Sequence, residues 1–167
     1  MSTENFSTFD DLYLHELRDL WDAERQLLDA LPAMAEAASE PELKQALRQH
    51  LTVTKEQKAR LEKIFKSLDE SPEGHTCAAM KGLIKEGNDI ARATGDATVR
   101  DAGIIGAAQR VEHYEIAGYG TARTYAQRLG RSEDVDLLDA TLREESFANE
   151  LLTEIAESGV NEQAVRA

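Results

Sequence analysis

The sequence predicts an all-α protein, a four-helix bundle with one long crossover, and three observations lead there. Of 167 residues only 3 are Pro and 10 are Gly, and aromatic content is 5%, while Ala, Leu, Glu and Arg abound. This is the composition of helices rather than sheets. Apolar residues recur with a 3.6-residue period over four long stretches. Those stretches fall into two pairs, each joined by a short turn, and the segment between the pairs carries a helical run of its own.

Each element has its own start and stop signals. Ser7 or Thr8 can cap a first helix carrying Leu12, Leu17, Leu20, Trp21, Leu27, Leu28, Leu31 and Met34. Pro32 falls inside it and is expected to kink or break it, because the ring removes a hydrogen bond and crowds the preceding turn. Ser39 followed by Glu42 reads as a capping box, with Pro41 in the first turn, so a second helix starts there and ends near Asp69. A shorter helix is expected from about Cys77 to Thr94, stopping at Gly95 and lying in the crossover. Thr98 followed by Asp101 reads as another capping box and opens a third long helix that runs to about Gly130. Ser132 is expected to cap the last helix, and the polar tail SGVNEQAVRA to fray. Two hairpins joined by such a crossover make the ferritin-like topology, with a short extra helix between helices 2 and 3. We read one domain over 1–167, with a core bundle at about 8–157.

Composition excludes several classes of function. A net charge of −13 disfavours nucleic acid and anionic membranes, which need clustered Lys and Arg. No stretch approaches the roughly 18 apolar residues of a membrane span. The N-terminus MSTENFSTFDD lacks the basic and apolar regions of a secretory signal, and Cys77 has no partner for a disulfide. A reducing cytoplasm is the expected location.

Carboxylates on the core side of a helix need an explanation, since burying one without a partner costs several kcal/mol. Glu112 and Glu115 lie on the seam Ile105, Ala108, Glu112, Glu115, Tyr119 of the third long helix. Glu24 interrupts the seam of the first, His50, Thr54 and Gln57 that of the second, and Glu145 and Asn149 that of the last. Folding each hairpin about its turn brings these groups into approximately one layer. Hard oxygen ligands with an occasional imidazole, contributed by facing helices, suit a dinuclear iron or manganese centre. The expected metal ligands are Glu24, His50, Glu112, Glu115 and Glu145, with His113 beside the seam as a surface or outer group. Glu115 or Glu145 is expected to bridge the metals, and Tyr114 or Tyr119 to relay an electron. The alternative is a non-catalytic bundle acting through protein–protein contacts, its polar layer serving only to fix pairing and register.

The segments LYLHELRDLWDAERQLLDALPAMA, PELKQALRQHL, CAAMKGLIKEG, AAQRVEHYEIAGYGT and TLREE resemble the YciF/YciE family of bacterial stress proteins over almost the whole chain. The resemblance implies a ferritin-like dimeric bundle with a rubrerythrin-like dinuclear site; a small oxidant such as peroxide or dioxygen is the partner that the carboxylate layer suggests. It maps family carboxylates onto Glu24, Glu112, Glu115 and Glu145. Two departures stand out. Thr52 and Val53 occupy positions where relatives commonly carry acids, and Ala148 stands where a Glu-x-x-His pair starting at Glu145 would place its histidine. These departures leave open a degenerate metal site, and the reaction is left unassigned.

Overall fold

The computed structural model describes residues 6–167, and among these it is entirely helical, with no strand. The long helices are α1 (Phe9–Ala37), α2 (Pro41–Leu68), α4 (Ala97–Arg128) and α5 (Ser132–Ile155). Helix α3 (Ala78–Ala91) lies in the crossover, and a short α6 (Asn161–Arg166) follows a π-turn at Ala156–Val160. The four-helix order expected from the sequence is present. No described helix is long and apolar enough to cross a membrane.

Several local expectations needed correction. Thr8 caps α1 in a full capping box with Asp11, but Pro32 sits inside α1 without ending it. Ser39 does not cap α2. The Asp101 carboxylate does so from α4, accepting from Ser39 N at 3.0 Å and Glu40 N at 2.6 Å. With Asp101 committed to that turn, α4 is capped instead by Asp96, which accepts from Thr98 N and Val99 N. Helix α3 is capped by Cys77 and ends at Ala91, before Gly95. Helix α5 includes Ser132, its cap position falling on Arg131. The C-terminal segment is helical rather than frayed, because Val160 is buried against Ile155, Leu152 and the rest of one apolar cluster.

The core divides into two apolar blocks. One gathers Leu27, Leu31, Leu43, Leu47, Met80, Ile104, Ile105, Val111, Leu152 and Ile155. The other gathers Tyr13, Leu17, Leu20, Leu61, Ile64, Phe65, Ala122 and Leu138, with Tyr119 at its edge. Along every long helix the gap between the blocks falls at mid-length, where the inward polar residues stand. Gly118 sets the spacing of α1 against α4 there: a Cβ at this position would meet Leu20 Cδ2 at 2.7 Å.

Candidate metal centre

Each long helix delivers polar side chains to the gap because it is continuous through it, so the 3.6-residue repeat that points leucines inward points these groups inward as well. Glu24 comes from α1, His50, Thr54 and Gln57 from α2, Glu112, Glu115 and Tyr119 from α4, and Thr141 and Glu145 from α5. All are buried; Glu24, Glu115 and Glu145 have no exposed surface at all.

The structure brings four of the five expected ligands into one group. Single ligand atoms of His50, Glu112, Glu115 and Glu145 lie within 4.8 Å of one another, a geometry able to hold a metal ion. His50 Nε2 faces Glu112 Oε1 at 3.4 Å and Glu145 Oε2 at 3.9 Å. Glu24 stands to one side of this group, where the Tyr119 hydroxyl donates to its Oε1. Gln57 Nε2 donates to Glu145 Oε1, and the Thr54 hydroxyl to the His50 carbonyl at 2.9 Å. Outside the layer Arg60 clamps Glu144 at 2.5 and 2.7 Å, drawing that neighbouring acid toward the surface. Asn149, which the sequence placed on the α5 seam, instead accepts from Gln109, and His113 is exposed.

The layer is short of protons and partners. Among the described residues, the buried side-chain atoms without a hydrogen-bond partner are Glu24 Oε2, His50 Nε2, Gln57 Oε1, Glu112 Oε2, both oxygens of Glu115 and Glu145 Oε2, plus only Arg100 Nε and Arg123 Nε elsewhere. Native interiors rarely leave such groups bare. Burial, then the Glu145 charge, holds the Glu24 carboxyl well above the usual carboxylate range. Burial and contact with Glu145 do the same to Glu112, and burial with the charges of Glu145, Glu24 and Glu112 to Glu115. Tyr119 is likewise raised, by burial and then by Glu24. A cation among these carboxylates would reverse every one of these costs. The donor set, hard oxygens with one imidazole, fits iron or manganese.

A hydrogen-bonded chain that the sequence did not suggest runs beside the layer. His75 Nε2 lies 2.9 Å from Asp19 Oδ1, the Tyr114 hydroxyl donates to Asp19 Oδ2, and Cys77 Sγ is 3.1 Å from the Tyr114 oxygen. Cys77 is fully buried, and burial pushes its thiol up to about 11. It is therefore a neutral capping and packing residue rather than a nucleophile. Of these four groups only Tyr114 and Cys77 stand out in the sequence. Asp19 lies 95 residues from Tyr114, and no local spacing marks the pair.

Comparison with known proteins agrees with this architecture. The family model described as a domain of unknown function, DUF892, matches residues 8–165. Protein YciF of Escherichia coli strain K12 is 42% identical over 161 residues, 96% of this chain and 97% of its own length. The crystal structure of that stress protein matches with a TM-score of 0.90 at 41% identity, covering 93% of this chain and 99% of the other. YcfI, a proposed structural protein from Rhodopseudomonas palustris, matches with a TM-score of 0.87 at 44% identity over 92% and 98% of the two chains. A protein of Xanthomonas campestris shares the fold at 22% identity, with a TM-score of 0.75 over 95% and 96% of the chains.

Proposed function

The chain belongs to the DUF892 family and is a relative of YciF, and from that premise we propose that its bundle core holds a dinuclear iron or manganese centre that meets peroxide or dioxygen in a stress response. One observation carries the reading: among the described residues, seven of the nine unpartnered buried side-chain atoms collect in a single layer, and six of those seven are carboxylate oxygens or an imidazole nitrogen. A layer meant only to fix register would satisfy its polar groups internally, since a half-satisfied network is worse than an apolar one.

Glu112, Glu115, Glu145 and His50 are the residues that would hold the first ion, and Glu24 is the further carboxylate available to a second. Gln57 and Tyr119 fix the orientation of Glu145 and Glu24 by donating to one oxygen of each, which leaves the other oxygen free to ligate. Bound iron or manganese supplies Lewis-acid and electron-transfer chemistry toward the oxidant. The apolar blocks on either side keep bulk water from the layer, and Tyr119 is the residue within it placed to pass an electron. The single free, buried cysteine supports a reducing cytoplasm as the location, and the family resemblance supports a homodimer.

Elemental analysis of tag-free protein grown with iron and manganese tests the reading, with about two metal ions per chain expected. Glu112→Ala should lose most of that metal, and full stoichiometry in this variant would overturn the site assignment. A folded, metal-free wild-type chain would favour the alternative, an interaction bundle with a degenerate site.

A further inference from the structure

The departure at position 148 has a spatial counterpart. Between α2 and α5 lies a cleft of about 580 Å³, walled by Val53, Phe147 and Leu151 and floored by Ala46, Ala148 and His50. Gln49, Thr52, Arg143 and Glu144 line it as well, but most of the surface it presents is apolar, and Phe147 at its side is 66% exposed. Beneath the floor is a small chamber of about 20 Å³, reached past the same Ala46, His50, Ala148 and Leu151 and bordered by Glu112. A space of that size accommodates one water-sized group and little more. Two of its lining residues, which are also among those that would hold the metal, carry polar atoms without a hydrogen-bond partner, His50 Nε2 and Glu112 Oε2, each on a side chain at least nine-tenths buried.

We propose that this cleft is a binding site for an apolar molecule carrying one uncharged hydroxyl-type oxygen, an alcohol or the corresponding organic hydroperoxide, with its body along Val53 and Phe147 and its oxygen beside His50 and Glu112. The size of the chamber admits the oxygen function but not the carbon body, which stays in the cleft. The sign of charge is set by the floor: Glu112 borders the chamber, and Glu145 and Glu115 lie within ligand reach of it. In the metal-free chain a carboxylate head would meet three acids at close range, and the one cationic side chain lining the cleft, Arg143, is already held by Asp139, so the metal-free site selects against anions. The apolar walls supply most of the affinity, and the two polar atoms at the floor supply orientation. As the substrate class of the metal centre the assignment rests on the function proposed above, where the hydroperoxide is the member that reacts; as a binding site it stands on the cleft alone.

The test is calorimetric titration of the full chain, as purified and after chelation, with cumyl alcohol as the unreactive counterpart of cumene hydroperoxide. Metal content is measured on the same samples. Expected are saturable binding of the alcohol and, in the chelated chain, at least tenfold weaker binding of 2-methyl-2-phenylpropanoate, which differs by its carboxylate. Ala148→Phe, which fills the passage, should weaken the alcohol at least tenfold without changing metal content. Val53→Asp, at a partly exposed position, should do the same if Ala148→Phe fails to fold. No saturable binding, equal binding of alcohol and carboxylate by the chelated chain, or binding indifferent to the variants would overturn the proposal. So would sedimentation showing that a second copy covers this face, with Val53→Asp dissociating it. Alcohol binding by a chain that carries no metal would sustain the site while removing the metal function.

Discussion

The protein buries carboxylates in two ways. Asp22, Asp101 and Asp134 are as buried as the acids of the central layer, yet each accepts from at least two donors. Asp22 accepts from Arg25 at 2.6 Å, Gln26 at 2.6 Å and Cys77 N at 2.8 Å. Asp101 holds two backbone amides of the α1–α2 turn, and Asp134 accepts from Tyr13 at 3.1 Å and from Arg131. In the layer Glu115 accepts nothing, and Glu24, Glu112 and Glu145 each keep a bare oxygen. Burial of an acid is therefore not what marks a ligand site in this fold; burial without donors is. The first set exists to hold backbone and side chains in place, and the second is arranged for something that brings its own positive charge.

That contrast can be broken or sharpened by experiment. The largest effect expected is that of metal. Chelating the loaded protein should lower its unfolding free energy by about 4 kcal/mol if free metal had been about 1,000 times Kd, read as a drop in thermal midpoint. A midpoint indifferent to chelator would remove the distinction between the two sets. Next comes Asp101→Ala, which strands the Ser39 and Glu40 amides and should cost about 2–4 kcal/mol in urea denaturation, with or without metal. Glu115→Leu should act with the opposite sign in chelated protein, stabilising it by about 1–3 kcal/mol, because it removes a buried charge that has no partner. A loss of stability there would show that the layer is a structural network after all.

The smallest effect is that of pH on the chelated protein. Glu24, Glu112 and Glu115 have folded values raised above the ordinary 4.5. Their contribution is full below that value and lost as pH rises through the raised ones, so stability should increase as pH falls from the alkaline side toward 4.5. Asp22 works the other way. Burial pushes its carboxyl up, but the Arg25, Cys77 and Gln26 donors outweigh this and hold it below 3.8. Its contribution is present above 3.8 and lost as pH falls further. Urea midpoints across this range, repeated on Glu112→Gln, check the assignment, since that variant should flatten the rise on acidification.

Legibility in the sequence followed the same division. The layer could be read because its residues break an apolar repeat on their own helices: Glu112 and Glu115 stand between Ala108 and Tyr119, and His50, Thr54 and Gln57 between Leu47 and Leu61. The acids that hold donors could not be read as such, because each has a partner far away in the chain: Cys77 for Asp22, Tyr13 for Asp134 and Ser39 for Asp101. Asp101 caps a turn 62 residues earlier, and the local capping-box patterns at Ser39 and Thr98 gave way to that tertiary bond. The C-terminal helix was hidden by its polar composition, with Val160 its one buried anchor beyond Ala156. The cleft was hidden because it depends on two small residues, Ala46 and Ala148, meeting from helices joined only through the rest of the bundle.

The division of the core into two apolar blocks also bears on cooperativity. Each block spans all four long helices, so each can hold a local four-helix contact by itself, and what joins them in the absence of a cation is a plane of unsatisfied acids. In the chelated chain that plane is the weakest cross-section of the molecule, and the amides on its two sides should exchange with solvent through separate opening events. Filling the layer with charge-compensating ions would fuse the two units into one, and native-state hydrogen exchange would then report a single transition where two had been seen.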